Sequence, residues 1–170
     1  MRYHGHTIAQ AESGGYTYEY PIDLHFTCER CGLCCGDTKC KTRRILLLEK
    51  EVEHISGVTS QDANEFSNTI ENQWPFIYIM RKSGGKCVFL KGKLCSIYDI
   101  RPIICRFYPF KLENLGDNRY SFSPTEECPG VGKGSKLGCA FYENLFRQFL
   151  KSLTENRGKT KVFIGSKKET

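Results

Sequence analysis

The run F-T-C-E-R-C-G-L-C-C-G, Phe26 to Gly36, sets four cysteines within eight residues: Cys28, Cys31, Cys34 and Cys35. A C-x2-C spacing lets two thiolates from one tight turn reach the same tetrahedral metal, as in zinc ribbons and iron–sulfur loops. Gly32 and Gly36 allow positive φ there and let backbone N–H groups approach the sulfurs. A fold that contains this run is built around it. Side chains of adjacent residues diverge, so Cys34 and Cys35 are expected to serve different metals, or one of them to bridge.

The chain has ten cysteines in 170 residues, which calls for either a disulfide framework or metal ligation. Disulfide frameworks belong to secreted chains. The N-terminal M-R-Y-H-G-H-T-I-A-Q lacks the apolar core of a secretory signal, and the chain has no run of about 18 apolar residues to span a membrane. The expectation is a cytoplasmic protein whose cysteines bind metal.

A formal charge of +6 on its own suggests an acidic partner such as nucleic acid. Metal-bound cysteines are thiolates, and eight of them on two Zn²⁺ ions would leave about +2. Arg30, Lys39, Lys41, Lys86, Lys91, Lys93, Arg101 and Arg106 all lie close to cysteines in the chain. The basic excess offsets the site, nucleic acid and membrane lose support as partners, and a protein partner remains open.

Alternation over 16–26 predicts a strand, with Tyr16, Tyr18, Tyr20, Ile22, Leu24 and Phe26 on one face and a break at Pro21. Residues 43–48 read as a strand. Glu49–Ser56 reads as a helix with Val52 and Ile55 inward and Gly57 as its stop. A second helix, capped by Thr59 or Ser60, is expected to run to about Asn72 with Ala63, Phe66 and Ile70 inward. Hairpins are expected across Ser83-Gly84-Gly85, across Lys91-Gly92-Lys93, and between Phe110–Leu112 and Ser121–Pro124. Leu137–Leu153 is the longest helical pattern. Lys161–Ile164 could add a short strand to a basic tail over 156–170. The prediction is a small α+β domain over 1–155, with short antiparallel hairpins and about three helices around the cysteine-rich site.

Cys87, Cys95 and Cys105 come from G-G-K-C-V-F-L-K-G-K-L-C-S-I-Y-D-I-R-P-I-I-C-R-F-Y-P-F, and Cys128 from E-C-P-G. With the first four they make eight candidate ligands: Cys28, Cys31, Cys34, Cys35, Cys87, Cys95, Cys105 and Cys128. Cys40 and Cys139 are left over. Eight thiolates suit two Zn²⁺ ions, one [4Fe–4S] cluster with one Zn²⁺, or two clusters. Ligands drawn from separate segments couple metal binding to folding.

F-T-C-E-R-C-G-L-C-C, then C-S-I-Y-D-I-R-P-I-I-C-R-F-Y-P-F, then C-P-G, in that order, resembles the YkgJ-type cysteine-cluster family, whose domain is described as zinc- or iron-chelating. The resemblance runs from about Phe26 to Gly134 and implies the same eight ligands. A flagellin lysine N-methylase carries a similar cluster. By that resemblance the alternatives are an iron–sulfur enzyme or accessory subunit for protein side-chain modification, and a zinc-stabilised interaction module. The chain shows no S-adenosylmethionine-binding segment, no H-E-x-x-H and no G-x-G-x-x-G after a strand, so no catalytic residue is named.

Arg101 and Arg106 bracket Cys105, either as donors to sulfur or as turn-holding partners of carboxylates such as Asp99. Tyr98, Phe107, Tyr108 and Phe110 are expected to wall the site or pack the core. Cys128-Pro129-Gly130-Val131-Gly132-Lys133-Gly134 lacks phosphate-loop spacing and reads as a flexible ligand loop with a helix soon after. His4, His6, His25 and His54 are not assigned as ligands.

Overall fold

The computed structural model describes residues 2–3, 5–39 and 41–157. Cys40, His4 and the expected tail strand at Lys161–Ile164 lie outside them. In chain order the elements are β1 (Arg2–Tyr3), β2 (His6–Ser13), β3 (Tyr16–Pro21), β4 (His25–Phe26), β5 (Leu46–Leu47), α1 (Glu49–Thr59), α2 (Ala63–Phe66), β6 (Ser67–Thr69), β7 (Tyr78–Met80), β8 (Lys82–Ser83), β9 (Lys86–Cys87), β10 (Leu90–Lys91), β11 (Leu94–Cys95), α3 (Ile103–Phe107), β12 (Phe110–Gly116), β13 (Arg119–Pro124), β14 (Val131–Lys136) and α4 (Cys139–Arg157). The class is α+β, with four α-helices among the described residues. The unexpected one is α3. No helix among the described residues is long and apolar enough to cross a membrane.

The main sheet runs β1-β2-β3-β13-β12. Its pairs are antiparallel except β3 with β13, which is parallel and joins Thr17–Glu19 to Arg119–Ser121. Strand 16–26 ends at Pro21, where the expected break falls. Tyr18 and Tyr20 are buried but Ile22 is 36% exposed, because the chain has left the pleat. The β12–β13 hairpin turns at Asp117 and Asn118, both left-handed (φ 49° and 58°), as tight right-twisted hairpins require. β2 carried no clear alternation and was not anticipated. It is held by six antiparallel pairings with β3.

α4 lies on this sheet. Its inward residues are Tyr142, Leu145 and Phe146, shifted from the expected four-residue stripe but flanked by Phe141 and Phe149. Tyr18, Phe122, Tyr142 and Phe146 are no more than 1% exposed, and their rings meet edge-on or stacked at 4.7–6.4 Å. Truncating a buried phenylalanine of this kind to alanine costs about 3–5 kcal/mol. Ile103 and Phe107 of α3 join the same core.

A second core contains Ile45, Leu47, Val52, Ile55, Phe66, Met80, Cys87, Phe89 and Ile97, with Cys35, Cys95 and Cys105 packed against it. α1 runs through Gly57 and stops at Ser60, left-handed at φ 55°. The expected second helix ends after four residues. Its cap is Asp62, with Glu65 Oε2 accepting from the Asp62 N–H at 2.7 Å. Ser67–Thr69 is drawn into the β5-β7-β6 sheet instead, paired with Tyr78–Met80. Strand pairing outweighs helix propensity in this Ser-Asn-Thr run.

Candidate metal centre

The cysteine run leaves β4, passes Cys28 and Cys31, and tightens into a 3-10 turn over Leu33–Cys35. Gly32, at φ 74°, opens that turn in a conformation open to glycine at little cost, and the Cys35 N–H donates to its carbonyl at 3.0 Å. The Arg43 Nε–H donates to the Leu33 carbonyl at 3.1 Å, while the Arg43 guanidinium pairs with Glu127 and lies over the Tyr108 ring. Asp37 Oδ1 accepts from the Arg43 N–H at 2.8 Å and from Lys82 Nζ at 2.5 Å. The Asp37 N–H donates to the Gly85 carbonyl at 2.8 Å. These bonds stitch the loop to the β8–β9 hairpin that ends in Cys87.

β10 and β11 pair Leu90 with Cys95. Cys105 sits in α3, whose start is fixed by Glu51: its Oε1 accepts from the Ile103 N–H at 2.5 Å and its Oε2 from the Leu48 N–H at 2.9 Å. One carboxylate thus ties α1 to the helix that carries Cys105. Burial holds that carboxyl above its ordinary range, against those two backbone donors and Arg106.

Cys34 Sγ and Cys35 Sγ are 3.7 Å apart. The expected divergence of neighbouring side chains does not occur, because the 3-10 turn brings both sulfurs to one side. Either thiol can donate to the other. The Cys35 contact, backed by Arg43 and Arg101, brings the Cys34 thiol down to about 7. The same contact, then burial and the charges of Cys34, Cys105 and Cys87, push Cys35 far up. Burial raises Cys105, with Cys87, Cys34 and Cys95 adding to it. Burial also raises Cys87 and Cys95, each of which feels Cys34. Cys34, Cys35, Cys87, Cys95 and Cys105 therefore occupy one electrostatic neighbourhood.

The other candidates stand apart. Cys128 is buried beside Tyr108, whose hydroxyl lies against its thiol without a formed hydrogen bond. Cys28 and Cys31 are exposed. Cys139 is exposed at the start of α4, next to Tyr18 and Tyr20. All nine cysteines among the described residues are free, so no disulfide framework is present there.

The donor chemistry fits a soft or borderline cation. Cys35, Cys87, Cys95 and Cys105, whose thiols are pushed up beside the readily ionised Cys34, would be compensated together by a dication. Cys34, Cys35, Cys87, Cys95 and Cys105 are the residues that would hold it, and the ion would supply folding energy and fixed positive charge. Among the described residues, no three His, Cys, Asp or Glu side chains are gathered closely enough to hold an ion.

Several supporting residues escaped sequence reasoning. Glu51, Asp37 and Arg43 act through bonds between distant segments. Only Glu51 left a local trace, its position three residues after the α1 cap. Arg101 donates to the Tyr98 carbonyl at 2.8 Å and stacks on that ring at 3.8 Å, not on Asp99. Arg106 donates to the Arg101 carbonyl and to Gln148. Of the four aromatics expected as walls, Phe107 belongs to the sheet core and Tyr98 is 48% exposed. Tyr108 and Phe110 line a cleft of about 190 Å³ that opens on Cys34 and Cys105 between Lys41 and Arg44. His25 Nδ1 faces the Gly134 carbonyl at 2.9 Å and His6 Nδ1 faces Asp23 at 3.0 Å. The Cys128 to Gly134 stretch is largely β14, paired with β4.

Two relatives come from Methanocaldococcus jannaschii. Uncharacterized protein MJ0661 is 32% identical over 97 residues, 55% of this chain and 50% of its own length. Uncharacterized protein MJ0939 is 24% identical over 164 residues, 88% of this chain and 53% of its own. The chain thus spans about half the length of these curated relatives. No solved structure matches it. Residues 27–129, from Thr27 to Pro129 and including every cysteine but Cys139, match the family CxxCxxCC, described as "Putative zinc- or iron-chelating domain", and the chain belongs to that family.

Proposed function

We propose that the protein binds a thiolate-ligated zinc ion on which Cys34 and Cys35 sit together, with two of Cys87, Cys95 and Cys105 supplying the remaining ligands. One observation carries this reading. At a Zn–S distance of about 2.3 Å, two thiolates on one tetrahedral ion lie about 3.8 Å apart, and the Cys34 and Cys35 sulfurs are already 3.7 Å apart. Arg43 and Arg101 stand where they offset the anionic thiolates.

An iron–sulfur centre is a second reading, favoured by the surplus of cysteines over the four that one ion needs. The sulfur spacing separates its forms. In a cluster with four irons and four cysteines each iron takes one thiolate, so an adjacent pair at this spacing is ill placed. A two-iron cluster takes two thiolates per iron and suits it.

Anaerobic purification with metal analysis and an optical spectrum tests both. Zinc without colour, lost in Cys34→Ser and in Cys35→Ser, is the expected result. A brown protein with four irons per chain overturns the zinc reading and the shared-ion geometry together.

A further inference from the structure

The cleft between Lys41 and Arg44 holds about 190 Å³. That is room for about six waters and falls below the range of drug-sized pockets, so it suits a small molecule. Its lining is divided by exposure. Lys41, Thr42 and Arg44 are exposed and make the rim, whereas Ile45 and Phe110 are buried and make the floor. Ile104 and Tyr108 are half-buried between them. The rim carries more positive charge than its surroundings neutralise. Glu127 pairs with Lys41 at 3.6 Å and also with Arg43, so one carboxylate serves two of the three cations that line the cleft. Arg43 is pinned further, by its bond to the Leu33 carbonyl and its place over the Tyr108 ring. The Arg44 guanidinium and the Thr42 hydroxyl have no hydrogen-bond or ion-pair partner among the described residues. The backbone that carries them is fixed. The Arg43 N–H donates to Asp37, the Arg43 carbonyl accepts from Lys82 Nζ at 2.8 Å, and the Ile45 carbonyl accepts from the Met80 N–H at 2.8 Å. A ligand that binds there finds its contacts in place and has little loop to order.

We propose that this cleft binds a small organic anion, a carboxylate on an apolar body, with the carboxylate at Arg44 and Lys41 on the rim and the body against Ile45, Ile104 and Phe110. The planar guanidinium fork of an arginine matches the two oxygens of a carboxylate. The apolar floor selects against a small inorganic anion, which would lose water there and gain no donor in return. The surplus cation at the rim selects against a neutral molecule of the same shape. Cys34 and Cys105 also line the cleft, so the occupant lies beside two of the thiols assigned to the metal. Its binding depends on the rim and the floor and does not require the ion.

The test titrates the full, isotope-labelled chain under reducing conditions with benzoate, and in parallel with benzyl alcohol, acetate and inorganic phosphate, while backbone amide shifts are followed by NMR. Benzoate is expected to shift the amides of Thr42, Arg44, Ile45 and Ile104 saturably and to bind more tightly than the other three. Arg44→Gln should weaken benzoate by about fivefold to tenfold, between the worth of an exposed ion pair and that of a charged hydrogen bond. Arg44 is exposed, so this variant keeps the fold, and its amide shifts away from the cleft verify that. Benzyl alcohol binding as tightly as benzoate overturns the proposal, because the charge would then be idle. Acetate or phosphate binding as tightly also overturns it, because the floor would then be idle. Shifts confined to residues outside the cleft, or wild-type affinity in Arg44→Gln, overturn it as well. Zinc content is measured on the same samples. Benzoate binding in a protein without zinc sinks the metal reading and supports this one, and zinc without benzoate binding does the reverse.

Discussion

Gly130 lies two residues after Cys128, and Thr27 lies one before Cys28. A Cβ on Gly130 would stand 2.0 Å from the Thr27 carbonyl oxygen, 3.2 Å from its carbon and 3.3 Å from Phe26 Cε2. The obstacle is backbone, so no rotamer relieves it. Restoring an ordinary contact of 3.4 Å requires the two segments to part by about 1.4 Å. The Thr27–Gly130 hydrogen bond, at 3.2 Å, does not survive that movement. Forced overpacking costs about 1–3 kcal/mol, and a broken bond with its groups left buried costs about 1–3 kcal/mol more. Gly130→Ala is therefore expected to destabilise by about 2–6 kcal/mol, which in a chain of this size lowers the melting temperature by at least about 5 °C. Gly57→Ala is the control. Gly57 sits inside α1 with nothing within 4 Å of an added Cβ, so alanine there should stabilise by about 0.5–1 kcal/mol. Thermal melts followed by circular dichroism compare the two, with zinc content measured on the same samples. A Gly130→Ala protein that melts as high as wild type would refute the close approach of the two segments.

Cys35→Ser is expected to abolish zinc retention on gel filtration, while Cys139→Ser, beside Tyr18 and Tyr20, retains the wild-type content. Glu51→Gln leaves one of two backbone donors without its acceptor and should cost about 1–3 kcal/mol in urea unfolding. Since the folded Glu51 carboxyl sits above its ordinary 4.5, the folded state holds that proton longer than the unfolded chain. Its contribution to stability thus falls as pH rises from 4.5 towards the raised value, and the glutamine variant lacks that fall. Burial, with Cys139 and Glu143, raises the Tyr18 hydroxyl from 10.0 to about 12. The unfolded tyrosine ionises first, so stability is lost as pH climbs across that interval, and Tyr18→Phe should flatten the loss in denaturant titrations.

Sequence patterns of short range carried much of the fold. The 3.6-residue period placed α1 and α4 to within a few residues, and Gly84-Gly85 and Asp117-Asn118 announced their hairpins. Failures came where distant segments decide. Ser67–Thr69 looks like a continuing helix until Tyr78–Met80 pairs with it, and β2 has no signature apart from its partner β3. α3 follows Pro102, the usual start of a helix, but is only five residues long and needs Glu51 to anchor it. For the site, C-x2-C-x2-C-C and the later cysteines were legible as thiols. Their division was not. That Cys34 and Cys35 face the same way depends on a 3-10 turn, and that Cys28 and Cys31 remain in solvent depends on Gly130 and Leu90. Neither partner is near in sequence.

The two cores also divide the chain in an unequal way. The aromatic core draws on Tyr18–Leu24 from one end and Ile103–Phe146 from the other, with Leu48 as its one buried residue from between, while the buried residues of the second core come from 45–97. The parallel β3–β13 pairing closes the chain on itself over about a hundred residues, and the cysteine-bearing segment is an excursion from that closed ring. The work of keeping the ends together falls on tyrosine and phenylalanine rings that contain no ligand. Glu51 of that excursion accepts from the Ile103 N–H of the ring, so a bond that joins the two parts falls at the helix that carries Cys105.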